Sequence, residues 1–216
     1  RDRASTATAQ AIANAAASAT AIVYNPYPPN TGTLVINDPL SDNSMGYQWD
    51  ESPTCVFTNE AYQVSTSADA FSTCTAQATN FTSNFVYQVD ITIIQGCGGI
   101  TFFSQGDNFN YTTFEVCQDG SSNISVCEGN SASSDCSGGG NIPPNSAIQT
   151  GSGQSNTLAV VYANDSLSFY VNQQLLQTAG PAMVSVAGGK IGVLANIPST
   201  GGYGQVTCSN VKVWTL

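Results

Sequence analysis

The chain has 216 residues, 14 acidic side chains against 4 basic ones, no histidine and a formal net charge of −10. That length fits one β-sandwich or barrel, and the charge excludes the basic footprint needed for nucleic acid or anionic lipid. Without histidine there is no Ser-His-Asp triad, Cys-His pair or imidazole metal site. Charged residues are 8% of the chain, so its polar surface falls to Ser, Thr, Asn, Gln and Gly.

Residues 1–23 are rich in Ala and hold no Gly or Pro. Ala is the best helix former, so the segment is expected to form a helix of about six turns. Ala9, Ile12, Ala16, Ala19 and Val23 fall at heptad spacing and make a narrow stripe. The segment reads either as a solvated stalk or as a close-packing assembly helix, and the stripe favours assembly. Residues 24–32 follow as a Pro-rich linker, since Pro26, Pro28 and Pro29 exclude helix and favour extended geometry.

From residue 33 to 216 the apolar period changes to two. Strands are expected at 33–37, 54–58, 61–67, 84–94, 98–104, 111–118, 157–163, 166–171, 190–195 and 205–216, all rich in β-branched and aromatic residues. Within 84–94, Phe85, Tyr87, Val89, Ile91 and Ile93 share one face. Asn164-Asp165 marks a two-residue hairpin. The Ser/Gly/Asn-rich stretch 121–155 is weakly patterned and is expected as a stapled excursion at one end of the sandwich. Ten strands with no long helical interruption specify an antiparallel sandwich or barrel.

Seven cysteines stand at 55, 74, 97, 117, 127, 136 and 208, none in a C-x-x-C unit. Three disulfides and one odd thiol are the simplest arithmetic, and they imply an oxidising, extracellular setting. The odd cysteine is either buried as a small apolar residue or available to link chains. No run of 18 apolar residues is present, so the chain as given is not expected to insert into a membrane.

The segments AVVYANDSLSFYVNQQLL (159–176), KIGVLA (190–195) and VTCSNVKVWTL (206–216) resemble concanavalin A-like jelly rolls of the laminin-G and keto-disaccharide-hydrolase-like type. In that type a hairpin ends in Tyr-Val-Asn and a G-x-I-G-V strand leads into a final F-x-N-V-x-V strand. LSDNSMGYQWD (40–50), CVFTNEAYQVS (55–65), NFVYQVDITIIQG (84–96) and FEVCQDGS (114–121) resemble a narrower group of stalked bacterial surface proteins. The resemblance implies an all-β, antiparallel jelly-roll sandwich preceded by the Ala-rich helix. It also implies a Cys55–Cys74 bridge; the other five cysteines depart from the group as additions, with Cys97–Cys117 and Cys127–Cys136 as expected further pairs and Cys208 left over. Spacing alone does not fix that connectivity. The fold serves lectins, adhesins, sensor ectodomains and glycosidases alike, so it does not specify function.

Glucanase members of this fold carry alternating carboxylates in an E-x-D-x-x-E strand, which this chain lacks. Its nearest candidates are Glu115, in register with Cys117 and Asp119, and Asp90. Glu115 reads as a solvent-side acid and Asp119 as a turn residue. With no paired acids, the expectation is a non-catalytic protein with no cofactor. Tyr47, Trp49, Tyr111 and Tyr203 lie beside Gly, Asn or Asp and are candidates for stacking on sugar rings. Calcium would find oxygen ligands at Asp38, Asp42 and Asn43, or at Asp107, Asn108 and Asn110, although such clusters are commonly turns. N-x-S/T sequons at Asn80, Asn110, Asn123 and Asn164 are expected in or beside loops.

Two functions follow. The first is an extracellular, cell-surface structural or adhesive unit that forms homo-oligomers or filaments through its N-terminal segment, its edges unguarded by Lys. The alternative is a glycan-binding or ligand-sensing lectin-like ectodomain. The sequence favours the first.

Overall fold

A computed structural model describes residues 23–58, 61–66, 71–105, 110–127, 136–180, 188–197 and 201–216, without the side chains at 138, 139 and 141. Positions Ala9, Ile12, Ala16 and Ala19 of the expected helix, with Asp107 and Asn108, lie outside the described residues. The described residues form fourteen strands and no helix. In chain order they are β1 (Thr33–Asp38), β2 (Cys55–Thr58), β3 (Ala61–Ser65), β4 (Ser72–Thr75), β5 (Phe85–Gln95), β6 (Cys97–Ser104) and β7 (Tyr111–Cys117). They continue with β8 (Ser122–Cys127), β9 (Cys136–Ile142), β10 (Gln154–Ala163), β11 (Ser166–Val171), β12 (Gln174–Ala179), β13 (Lys190–Asn196) and β14 (Gln205–Thr215).

They assemble into two antiparallel sheets. One has eight strands in the order β12-β11-β10-β5-β14-β3-β2, with β1 also on β14. The other has six, in the order β4-β13-β6-β7-β8-β9. Phe85, Tyr87, Val89, Ile91 and Ile93 of β5 all enter the core between the sheets, as their period of two requires. On β14 the inward set changes from Val206 and Cys208 to Val211 and Val213. A register shift between Ser209 and Lys212 makes this change, with Asn210 at a φ of 54°. Such a bulge re-aims the side chains beyond it. The Tyr87 hydroxyl crosses the core to donate to the Gly192 carbonyl at 2.8 Å.

The three disulfides are Cys55–Cys74, Cys97–Cys117 and Cys127–Cys136. The first joins β2 to β4 and so ties the two sheets together. The other two link directly opposed residues on adjacent strands, with Cα separations of 4.0 and 3.9 Å. Cys208 is a free thiol, fully buried between Ile91 and Tyr62 on the neighbouring strands. Burial pushes its pKa far above the ordinary thiol range. In the folded chain it is a core residue and not a link between chains.

Several expectations need correction. β4, β8, β9 and β12 were not anticipated. The stretch 121–155 is not an excursion: its first half adds β8 and β9 to the six-stranded sheet. Asn164 and Asp165 do turn between β10 and β11, both at positive φ, and Asn172-Gln173 repeats this geometry between β11 and β12. The segment expected as a linker is packed. Tyr27 is 1% exposed and lies with Val86, Ala159, Val161, Tyr170 and Trp214 on the outer face of the eight-stranded sheet. Its hydroxyl donates to Gln88 Oε1 at 3.0 Å. Val23 is not helical, and its carbonyl accepts from Trp214 Nε1 at 3.1 Å.

Candidate functional site

The six-stranded sheet turns one face to the core and the other outward. On β7, Phe114 and Val116 are core residues, so Tyr111, Thr113 and Glu115 point the other way. On β8, Ile124 faces the core and Asn123 and Ser125 share the outer face; on β13, Val193 and Ala195 face the core and Leu194 and Asn196 lie outward. Thr113, Glu115, Asn123, Ser125, Leu194 and Asn196, with Phe71, line a pocket of about 240 Å³ whose rim includes the Cys127–Cys136 disulfide.

Glu115 sits at its base and is 7% exposed. Asn196 Nδ2 donates to both carboxylate oxygens, at 3.3 and 3.1 Å, and Asn123 Nδ2 lies 3.5 Å from Oε1. Asn123 Nδ2 also donates to Ser125 Oγ at 3.0 Å, and Asn196 Oδ1 accepts from the Ile197 amide at 2.9 Å. Burial raises the Glu115 pKa, and the two asparagine hydrogen bonds partly counter that.

The Asn196–Glu115 contact spans a strand, because β6 lies between β13 and β7. Gly99 of β6 pairs with both Glu115 and Leu194. With no side chain at 99, the amide and the carboxylate meet over the intervening backbone. Sequence reasoning found Glu115 but read it as solvent-side, which its burial corrects. It missed Asn123 as a site residue, along with Ser125, Asn196 and Gly99. The Gly98-Gly99 pair inside an apolar strand was the available signal.

Two further hydroxyls on this face, Thr101 Oγ1 and Tyr111 Oη, are buried with no hydrogen-bond partner among the described residues. Tyr111 is 3% exposed and its ring packs edge-on to Phe71, with centroids 6.3 Å apart. Burial raises its pKa.

The other candidates are dispersed. Trp49 offers no stacking surface, being 2% exposed with Nε1 donating to Asp38 Oδ2 at 3.0 Å. Tyr47 is half-buried against the core. Tyr203 is exposed, in a loop whose Gly204 abuts the backbone of Asn196. The side chains of Asp38, Asp42 and Asn43 are engaged in local turns: Asp38 accepts from the Leu40 amide, Asp42 from Ser44, and Asn43 clamps the Trp49 backbone. Among the described residues, no three His, Cys, Asp or Glu side chains are grouped to hold a metal. Asp119 caps the turn at Ser121, whose hydrogen bonds lower its pKa. Asp90 accepts from Thr157 and Asn210; it lies on the outer face of the eight-stranded sheet, away from Glu115. Of the sequons, Asn80 and Asn164 are exposed and Asn110 is half-buried beside β7. Asn123 lies inside β8 at the pocket and not in a loop.

No protein-family model and no curated protein matches the chain. Solved structures do. The carbohydrate-binding module CBM66 from Bacillus subtilis is 19% identical with a TM-score of 0.61, covering 77% of this chain and 95% of its own. A β-glucanase from Bacillus licheniformis is 12% identical, with a TM-score of 0.58 and coverage of 86% and 99%. The laminarinase catalytic domain from Thermotoga maritima is 8% identical, with a TM-score of 0.59 and coverage of 86% and 98%. Structures of this kind overturn the expectation of a non-catalytic filament or adhesive subunit, and with it the expectation of no enzymatic activity. By fold, the described chain is a concanavalin A-like jelly-roll β-sandwich.

Proposed function

We propose that this domain engages carbohydrate in the pocket on the outer face of its six-stranded sheet. The observation that carries this reading is Glu115, a buried carboxylate oriented by two asparagine amides at the base of an open pocket. Protein sites for small polar ligands combine apolar walls with a few placed polar groups. Phe71, Leu194 and Ile197 supply the apolar wall here, and Thr113, Ser125, Asn123 and Glu115 supply the polar groups. The matched carbohydrate-binding module and glucanases support the same reading. The three disulfides support secretion into an oxidising compartment.

Titration calorimetry of the chain against a panel of neutral and charged oligosaccharides tests it. Saturable binding that weakens in Glu115→Gln and Asn196→Ala is expected. Binding unaffected by both substitutions would place the ligand elsewhere.

A second reading, glycoside cleavage, is favoured by the raised pKa of Glu115, the condition of a carboxyl that donates a proton to a leaving oxygen. Its measurement is release of reducing ends from β-glucans. Release that persists in Glu115→Gln would remove Glu115 as the acid.

A further inference from the structure

Resting on the reading that the Glu115 pocket takes carbohydrate, we infer that its ligand class is an amino sugar, with a protonated, unacetylated amine seated against the Glu115 carboxylate. The hydrogen-bond inventory of the pocket leads there. An asparagine amide has two N–H donors and an ionised carboxylate offers about four acceptor sites. The Asn196 amide nitrogen reaches both Glu115 oxygens, and the Asn123 amide nitrogen serves Glu115 and Ser125 Oγ. The Asn196 carbonyl is held by the Ile197 amide. Both asparagine amide nitrogens that line the pocket are therefore already engaged within it, and the carboxylate, with about four acceptor sites, has room for a further donor. Such a site favours a ligand that donates.

Charge narrows the class further. Among the described residues, none that lines the pocket is basic. Lys190, one of the two described lysines, is bonded to Gln77 in a separate pocket with Gln105 and Asn80. A uronate or sulfated sugar would bring a second negative charge to Glu115 with nothing to neutralise either. An ammonium brings the missing countercharge, and charge-assisted hydrogen bonds in a partly dry site are about twice as strong as neutral ones. The chain's net charge of −10 also draws a polycationic glycan toward it and repels a polyanionic one. An N-acetylated sugar loses the charge and presents one amide N–H in its place. The ring's apolar face has Phe71, Leu194 and Ile197 to lie against.

The experiment compares four hexamers by titration calorimetry in mildly acidic buffer: glucosamine, N-acetylglucosamine, cellohexaose and galacturonate. Wild type and Glu115→Gln are measured, with a thermal melt of each to establish folding. The glucosamine hexamer should bind at least about tenfold more tightly than the other three, the scale of one charge-assisted hydrogen bond. That preference should collapse in Glu115→Gln. The wild-type ranking is a test that does not depend on the variant folding. Cellohexaose binding as tightly as the glucosamine hexamer, with both weakened by the substitution, would overturn the amine assignment and leave the carbohydrate reading standing. A glucosamine preference unchanged in Glu115→Gln would mean general attraction to the acidic surface and would also overturn it. No binding by any hexamer would count against the carbohydrate reading itself.

Discussion

Gly99 offers the most stringent perturbation, because one added methyl group tests both the packing of the six-stranded sheet and the origin of the Glu115 site. A Cβ at position 99 would lie 2.3 Å from the Phe114 carbonyl oxygen and 2.8 Å from Glu115 Cα and Cβ. Gly99 is not at positive φ, so the objection to Ala is steric and not conformational. Two of the three obstacles are backbone atoms of β7, which cannot turn aside as a flexible side chain would. Restoring ordinary contact distances requires β6 and β7 to separate by about 1 Å. Overpacking of this kind typically costs about 1–3 kcal/mol, and the backbone obstacles place Gly99→Ala at the upper end. The alanine offsets part of this, by about 0.4–1 kcal/mol, through the reduced freedom of the unfolded chain. The net loss is about 2 kcal/mol, which lowers the melting temperature of a chain this size by about 4–8 °C. Calorimetric melting measures it. Gly180→Ala is the control, since nothing among the described residues lies within 4 Å of its Cβ and its φ is not positive; its melting temperature should be unchanged or slightly higher. Because the methyl group would also stand between Asn196 and Glu115, ligand binding should weaken in Gly99→Ala beyond any loss of folded protein. A Gly99→Ala protein that melts with the wild type and binds ligand as tightly would refute the packing argument and the bridging role together.

Tyr27→Ala removes a buried aromatic ring and the hydrogen bond to Gln88, and urea titration should show a loss of about 3 kcal/mol or more. A loss below about 1 kcal/mol would show that the Pro-rich segment merely rests on the sheet. The groups facing Glu115 from neighbouring strands are Asn123, Asn196 and Gly99, none of which titrates. Its raised pKa therefore stabilises the fold fully below the unfolded value near 4.5, and this contribution is lost as pH rises through the folded value. Denaturant midpoints across that range should fall for wild type relative to Glu115→Gln, and parallel curves would contradict the burial argument. Cys208 should resist a thiol reagent in native buffer and react in denaturant, given its burial and raised pKa; rapid labelling of the folded protein would be inconsistent with its place in the core.

The strands legible in the sequence were those with a strong period of two, above all β5 and β14, whose buried sets are continuous runs of large apolar residues. β8 and β9 were missed for a physical reason. Ser122-Asn123-Ile124-Ser125-Val126-Cys127 has small polar residues where a strand usually carries β-branched ones, and Cys136–Ile142 is glycine-rich. Their places are fixed by pairing with β7 and by the Cys127–Cys136 bridge, which are tertiary effects that local propensity does not encode. β12 follows a turn at Asn172-Gln173, a pair without the usual glycine. The site was half legible. Period two placed Glu115 on one face of β7, but its burial depends on Asn196, 81 residues away, and on a glycine that lets the two meet. The aromatic candidates were chosen by their neighbours in sequence, and Trp49 shows the weakness of that criterion. Its flanking turn exists to hold the ring inside the core through Asp38.

The packing of Val23 and Tyr27 against the eight-stranded sheet gives the sandwich a front and a back. Glu115 opens from one broad side, and Val23, joined to Trp214, lies on the other. A tether entering at Val23 starts on the side away from the pocket. Coupling the protein to a bead, a surface or a fused partner at that point therefore leaves the Glu115 mouth facing outward, and the same attachment at the β8–β9 end would crowd it.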